Sequence, residues 1–161
     1  MASTHDMSGL TVWRLNGAKY ADTAFSGLGA KLYGGRWSPP GMAIAYCSES
    51  RALAALEVLA QLDDGARLGH RSWVCVSAQF PAELVESPPK LPGSWRQYPH
   101  TSATQMIGAK WVREARSAVL RVPSMLVLGE FNYLLNPAHP DVSKVKIGHA
   151  APFSFDPRLG V

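Results

Sequence analysis

The sequence predicts a single α+β domain, and three observations lead there. Helix-period and strand-period segments are interspersed along the 161 residues without the regular spacing of β-α-β units. No segment repeats and no tract is of low complexity. Hydrophobic residues make up 47% of the chain and charged residues 17%, the balance of a globular protein that buries a core without disulfides or a structural metal. One domain is therefore expected over residues 1–161, with residues 1–9 loose ahead of it. Its sparse surface charge suits cover by a partner.

Leu10-Thr11-Val12-Trp13-Arg14-Leu15 reads as a first strand, with Val12 and Arg14 on one face and Asn16-Gly17 closing it. Ser26 to Ala30 and Tyr33-Gly34-Gly35 then read as a flexible glycine-rich loop that Pro39-Pro40-Gly41 closes with a turn. Met42 to Cys47 carries no charge on either face, as a strand covered on both sides would, and Tyr46 projects from its end. Ser48-Glu49-Ser50 offers hydroxyl caps to a helix over Arg51 to Leu62, with Leu53, Leu56 and Ala60 as its apolar stripe and Asp63-Asp64-Gly65 as its stop. Glu57 lies one turn beyond Leu53, on the border of that stripe. A merely solvated glutamate would point elsewhere.

Ser72 to Phe80 is another apolar strand, and the proline-rich stretch 81–99 is expected to run extended over the surface with no role legible in it. A helix is expected over Thr104 to Ala118, with Ile107, Trp111 and Ala115 inward and Lys110, Arg113 and Arg116 on a solvated face. Ser117 to Ser124 is a strand. Met125 to Leu135 and the turn-rich Asn136-Pro137-Ala138-His139-Pro140 follow, and Val145/Ile147 and Phe153/Phe155 suit edge strands.

Several function classes are disfavoured. The formal charge of +4 comes from Lys and Arg scattered without a basic run, which argues against direct nucleic-acid binding and equally suits a phosphate-bearing small molecule or an acidic partner. Cys47 and Cys75 sit in apolar runs, as reduced core thiols do, and neither a leader pattern nor a stretch of roughly 18 apolar residues is present. A cytoplasmic protein without a membrane partner is expected. Gly27-Leu28-Gly29 lacks the third glycine of a dinucleotide fingerprint, and the five histidines have no metal-ligand spacing, so no metal is expected. His139, between prolines, reads as a loop brace rather than a base.

What remains is the order of chemistry between Tyr33 and Leu59. Arg36 in the Gly34-Gly35-Arg36-Trp37-Ser38 turn, Tyr46 at a strand end and Glu57 on a helix set a guanidinium, a phenol and a carboxylate on consecutive rigid elements. An anionic aromatic dinucleotide requires all three: a planar cation for phosphate, a ring to stack on, and a carboxylate facing ribose. The plainer alternatives are Glu57 paired with Arg51, Arg36 bridging to Asp22 or Glu49, Tyr46 as an ordinary buried tyrosine, and Ser124 as a turn cap.

These residues, with Ala54-Ala55-Leu56-Glu57, Val122-Pro123-Ser124 and Asn132-Tyr133-Leu134-Leu135-Asn136-Pro137-Ala138-His139-Pro140, resemble the RES-domain toxins, a family named for an arginine, a glutamate and a serine. Here those are Arg36, Glu57 and Ser124. The resemblance implies a fold similar to the diphtheria-toxin kind of ADP-ribosyltransferase and a toxin of a bacterial toxin–antitoxin pair. It implies NAD as substrate, not cofactor, degraded by hydrolysis or phosphorolysis, with transfer of ADP-ribose to a protein as the alternative. It also implies an Xre-type helix-turn-helix antitoxin that blocks the active site, and a homodimer within the complex. On that footing Glu57 stabilises the developing ribosyl cation, and Arg36 holds pyrophosphate with the amides of Gly34 and Gly35. Tyr46 stacks on nicotinamide, Ser124 bonds ribose or orients Glu57, Asn136 positions the loop or the substrate, and Arg14 is a further binding position. A binding module without catalysis, its basic face on nucleic acid or an acidic partner, is the rival from another class.

Overall fold

The computed structural model describes residues 9–62, 71–88 and 90–160. The looseness expected of residues 1–9 and the helix stop at Asp63-Asp64-Gly65 therefore fall, Gly9 and Leu62 aside, outside the described residues. An eight-stranded sheet organises the rest, with strand order β4-β5-β6-β2-β1-β3-β7 and β8 also on β3. Its strands are β1 (Leu10–Gly17), β2 (Ala45–Ser48), β3 (Trp73–Phe80), β4 (Val85–Glu86), β5 (Val119–Pro123), β6 (Phe131–Leu135), β7 (Lys146–Ile147) and β8 (Ala151–Phe153). All pairs are antiparallel except β4 with β5. With helices α1 (Leu28–Tyr33), α2 (Arg51–Ala60) and α3 (Ser102–Glu114), this is the α+β architecture that the interspersed periodicities predict.

Period-two alternation places side chains on both faces of the sheet. In β5 and β6, Val119, Tyr133 and Leu135 join Val12, Ala45 and Phe80 in one core cluster, whereas Leu120, Val122 and Leu134 join Trp37, Ile44 and Trp111 in another. The same rule divides β2, where Ala45 and Cys47 enter the first cluster and Tyr46 packs against the second. The chargeless run around Tyr46 is thus covered on both sides. The edge pieces expected near the carboxy terminus are β7 and β8, both added to β3.

Three elements differ from expectation. The glycine-rich stretch is not all loop: α1 forms within it, started by Gly27 at φ 75° and ended by Gly34 at φ 70°, backbone that glycine enters without steric cost. In α2 the buried positions are Leu53 and Ala54, while Leu56 is exposed and Glu57 and Val58 face inward with them. The stripe is rotated because α2 lies over β1 and β2, and its Ala54, Ala55 and Val58 cluster with Leu15 of β1 and Cys75 of β3. Helix α3 stops at Glu114, where Ala115 turns left-handed, and Arg116 lies beyond it, bonded to Glu114 and Glu86 instead of extending a solvated stripe.

Candidate active site

The site is assembled around a tight turn. Gly35 and Ser38 form a two-residue bridge with N–O distances of 2.8 and 3.4 Å, leaving Arg36 and Trp37 at its corners. Trp37 is buried beneath the turn against Trp111 and Ile44, so Arg36 is directed outward. Gln105 on α3 fixes the turn from the side by donating to the carbonyls of Gly35 and Ser38. Tyr46 closes it from below: its hydroxyl lies 2.7 Å from Ser38 Oγ. A methyl group on Gly35 would lie 2.8 Å from that hydroxyl. Gly35→Ala is therefore expected to displace Tyr46 and lower turnover of the substrate more than it lowers thermal stability, a split that paired kinetics and melting would read.

The proline-rich segment gains a role that the sequence did not disclose. Arg36 Nη1 donates to the carbonyls of Trp95 (2.9 Å) and Gln97 (2.8 Å), and its Nη2 approaches Met125 Sδ. Trp95 stacks near Trp37 at 6.5 Å between ring centroids. The segment thus carries Tyr98 and His100 to the same opening as Arg36. His100 Nε2 lies 3.2 Å from Gln105 Nε2, and burial and Arg36 hold its pKa down.

Arg14 from β1, Arg36 from the turn, Tyr46 from β2 and Glu57 from α2 all line one cleft of about 520 Å³. The charge pairings proposed as plainer alternatives do not form: Arg51 stacks on Trp13 at 4.7 Å, and Arg36 bonds the carbonyls just described. Glu57 Oε1 accepts a 2.7 Å hydrogen bond from Asn132 Nδ2, and Asn132 Oδ1 accepts one of 2.9 Å from Ser48 Oγ. Because Ser48 occupies the amide oxygen, the amide nitrogen is the atom presented to the carboxylate. Ser48 and Asn132 are directly paired across β2 and β6, so the relay is built into the sheet.

Asn132 was missed as a site residue although it lies in the Asn132-Tyr133-Leu134 motif. Its role rests on a register opposite Ser48 that no local pattern in the sequence discloses.

Burial raises the Glu57 carboxyl above its ordinary range, while the bond from Asn132 and the charge of Arg36 pull it back. Burial also pushes the Tyr46 phenol to about 12 and the Cys47 thiol to about 12, so both stay protonated at neutral pH. Arg14 Nη1 donates to the Tyr46 carbonyl at 2.7 Å, whereas its buried Nε has no hydrogen-bond partner among the described residues.

For Ser124 and Asn136 the structure favours the turn alternatives. Ser124 is buried and its Oγ accepts from the amides of Leu126 and Val127, so it caps the turn after β5 and does not line the cleft. Asn136 is buried too, its Oδ1 bonded to the Ala138 amide and its own amide to the Ala118 carbonyl. It organises a turn away from the cleft lining. Gly34 and Gly35 do line the cleft, but their amides already donate to Ala30 and Ser38, so they are not free to cradle a phosphate. Their contribution is backbone shape. His139 braces its loop as expected, with Nε2 3.0 Å from the Ala115 carbonyl and Nδ1 accepting from Asp141. Among the described residues no group of three His, Cys, Asp or Glu could hold a metal, and no helix is long and apolar enough to cross a membrane.

A mixed sheet, one helix and a tight glycine turn thus bring two arginines, a tyrosine and a half-buried glutamate to a single cleft of an α+β domain. The chain belongs to the RES domain family, whose profile matches residues 11–156. It is 37% identical over 154 residues to the Prs ADP-ribosylating toxin of Sphingobium sp. (strain YBL2), covering 91% of this chain and 94% of that protein. It is 34% identical over 152 residues to Toxin Res of Yersinia enterocolitica serotype O:8, covering 93% and 99%. Its fold matches a chain in the crystal structure of the M. tuberculosis MbcT–MbcA toxin–antitoxin complex, with a TM-score of 0.73, 19% identity, and coverage of 94% of this chain and 86% of that one.

Proposed function

We propose that this protein is the toxin of a toxin–antitoxin pair and consumes NAD by cleaving the bond between nicotinamide and ribose. The observation that carries this reading is the convergence of Glu57, Arg14, Arg36 and Tyr46 on one cleft. Nicotinamide leaves NAD as a neutral ring, so no proton has to reach it. The requirement is a fixed anion beside the ribose as it acquires oxocarbenium character. Glu57, held by Asn132 and half withdrawn from water, meets that requirement. Arg36 takes the pyrophosphate, and the Tyr46 ring forms the wall against which nicotinamide packs. Arg14 donates to the Tyr46 carbonyl yet its buried Nε has no hydrogen-bond partner among the described residues, an unmet donor beside the cleft that supports a ligand role.

The direct test is product analysis after incubating purified protein with NAD, with and without phosphate. Nicotinamide with ADP-ribose marks hydrolysis, and nicotinamide with a phosphorylated ADP-ribose marks phosphorolysis. Intact NAD in both arms would overturn the reading. Transfer of ADP-ribose to a protein is a second reading, favoured by the name of the Sphingobium relative, and radiolabelled NAD separates the two by where the label ends. We further propose a cytoplasmic homodimer held inactive by an Xre-type antitoxin that occludes the cleft. Co-expression with the neighbouring open reading frame tests this, since a true antitoxin forms a complex and suppresses NAD loss.

Two substitutions report on the machinery. Arg36→Lys keeps the charge but cannot hold two carbonyls and a phosphate together, so KM for NAD should rise about tenfold with kcat largely kept. Asn132→Ala removes the donor that stabilises the Glu57 anion. It should lower kcat about tenfold or more and move the acid limb of the pH–rate profile to higher pH. A purely structural asparagine would lower stability without moving that limb.

A further inference from the structure

We propose that Tyr33 and Tyr98 form the subsite for the purine base of a diphosphate nucleotide, an inference that deepens the NAD reading and rests on it. Their rings are 83% and 80% exposed, more than any other large apolar side chain among the described residues. Both nevertheless line the cleft that holds Glu57. A phenol left in water adds nothing to the core, whereas at the mouth of a polar cleft it offers a flat face to a planar heteroaromatic ring.

The cleft has an order. Glu57, Arg14, Tyr46 and Asn132 line both the wide cleft and an adjoining recess of about 110 Å³. Trp13, Ser48 and Ala54 line the recess alone, while Tyr33, Arg36 and Tyr98 line the wide part alone. The carboxylate thus stands between the recess and the side that carries the guanidinium and the two exposed rings. A dinucleotide with its scissile ribose against Glu57 and its leaving ring toward the recess extends its pyrophosphate to Arg36. Its second nucleoside then passes beyond Arg36.

The backbone places both tyrosines beside that point. Tyr33 ends α1 immediately before the Gly34-Gly35 turn that presents Arg36. Tyr98 follows Gln97, whose carbonyl accepts from Arg36. The same guanidinium therefore anchors the phosphate and the segment carrying one of the rings, so that a base leaving the pyrophosphate meets aromatic surface. Neither phenol supplies a donor–acceptor pattern that separates adenine from guanine, and the class recognised is purine nucleoside diphosphates.

Calorimetric titration of ADP and, separately, inorganic pyrophosphate into the wild-type protein, Tyr33→Ala, Tyr98→Ala and Tyr98→Phe tests this. Base–aromatic stacking is worth enough that each alanine variant should bind ADP about tenfold more weakly. Tyr98→Phe, which keeps the ring, should restore the affinity, and pyrophosphate should bind all four proteins alike. The proposal is overturned if ADP affinity is unchanged in both alanine variants, which would leave the rings as contact surface for a protein partner. It is also overturned if pyrophosphate affinity falls with that of ADP, or if the wild-type protein does not bind ADP. Because binding is read without turnover, a protein that loses ADP affinity in the variants but never consumes NAD counts against the cleavage reading alone.

Discussion

Glu57→Gln is expected to cut NAD consumption at least a hundredfold while leaving the fold intact and slightly more stable at neutral pH. The kinetic part follows from removing a fixed charge aimed at a developing cation, a loss typically of two orders of magnitude or more in rate. The amide keeps size and shape but provides no anion. The stability part follows from the direction in which burial moves this carboxyl. Its folded pKa is raised above the unfolded value, so below the ordinary carboxylate range both states hold the proton and the group is neutral in its effect on pH dependence. As pH rises from there, the unfolded chain releases the proton first, and stability falls until the folded carboxyl also ionises. Glutamine has no such transition. Melting curves from the ordinary glutamate range to neutrality should therefore show a declining wild-type Tm that the variant does not share. Retained NAD turnover in Glu57→Gln would remove this carboxylate from the chemistry.

Gly108→Ala is expected to produce the largest loss of stability among single-methyl changes near the site. Its added Cβ would lie 1.8 Å from the Trp37 carbonyl oxygen, which is backbone and cannot rotate away. Helix α3 and the Arg36–Trp37 turn must separate, at a cost of about 1–3 kcal/mol, or roughly 2–12 °C in Tm for a chain of this size. The displaced helix also carries Gln105, which holds the carbonyls of Gly35 and Ser38, so KM for NAD should rise as well. Gly93→Ala is the control, since no atom lies within 4 Å of its added methyl. Equal melting temperatures for the two variants would show that the close approach of helix and turn is not what sets stability there.

Much of this arrangement was legible in the sequence because it rests on local rules. Ser50 caps α2 through a 3.0 Å bond from the Leu53 amide, as its hydroxyl and position imply, and the chargeless run around Tyr46 is covered on both faces. Glu57 was singled out because a carboxylate on the border of an apolar stripe needs a reason, and the cleft supplies one.

The misses have a common physical origin in contacts between residues distant in the chain. The stripe of α2 was drawn through Leu56 because one helix can be phased only by its own periodicity, whereas the strands beneath it chose Ala54 and Val58. For Ser124 and Asn136 the letters leave a turn role and a ligand role open, because short polar side chains serve either way, and neighbouring amides decide for the turn. Asn132 was passed over because its importance comes from a strand partner 84 positions away. The proline-rich stretch was unreadable because its function lies in its carbonyl groups, which carry no signature in the amino-acid letters.

That last feature bears on how such domains diversify. Arg36 is anchored by main-chain oxygens of Trp95 and Gln97, so the placement of this cation depends on the path of the segment. Side chains of this stretch that face the opening can therefore change without removing the two oxygens that hold the guanidinium.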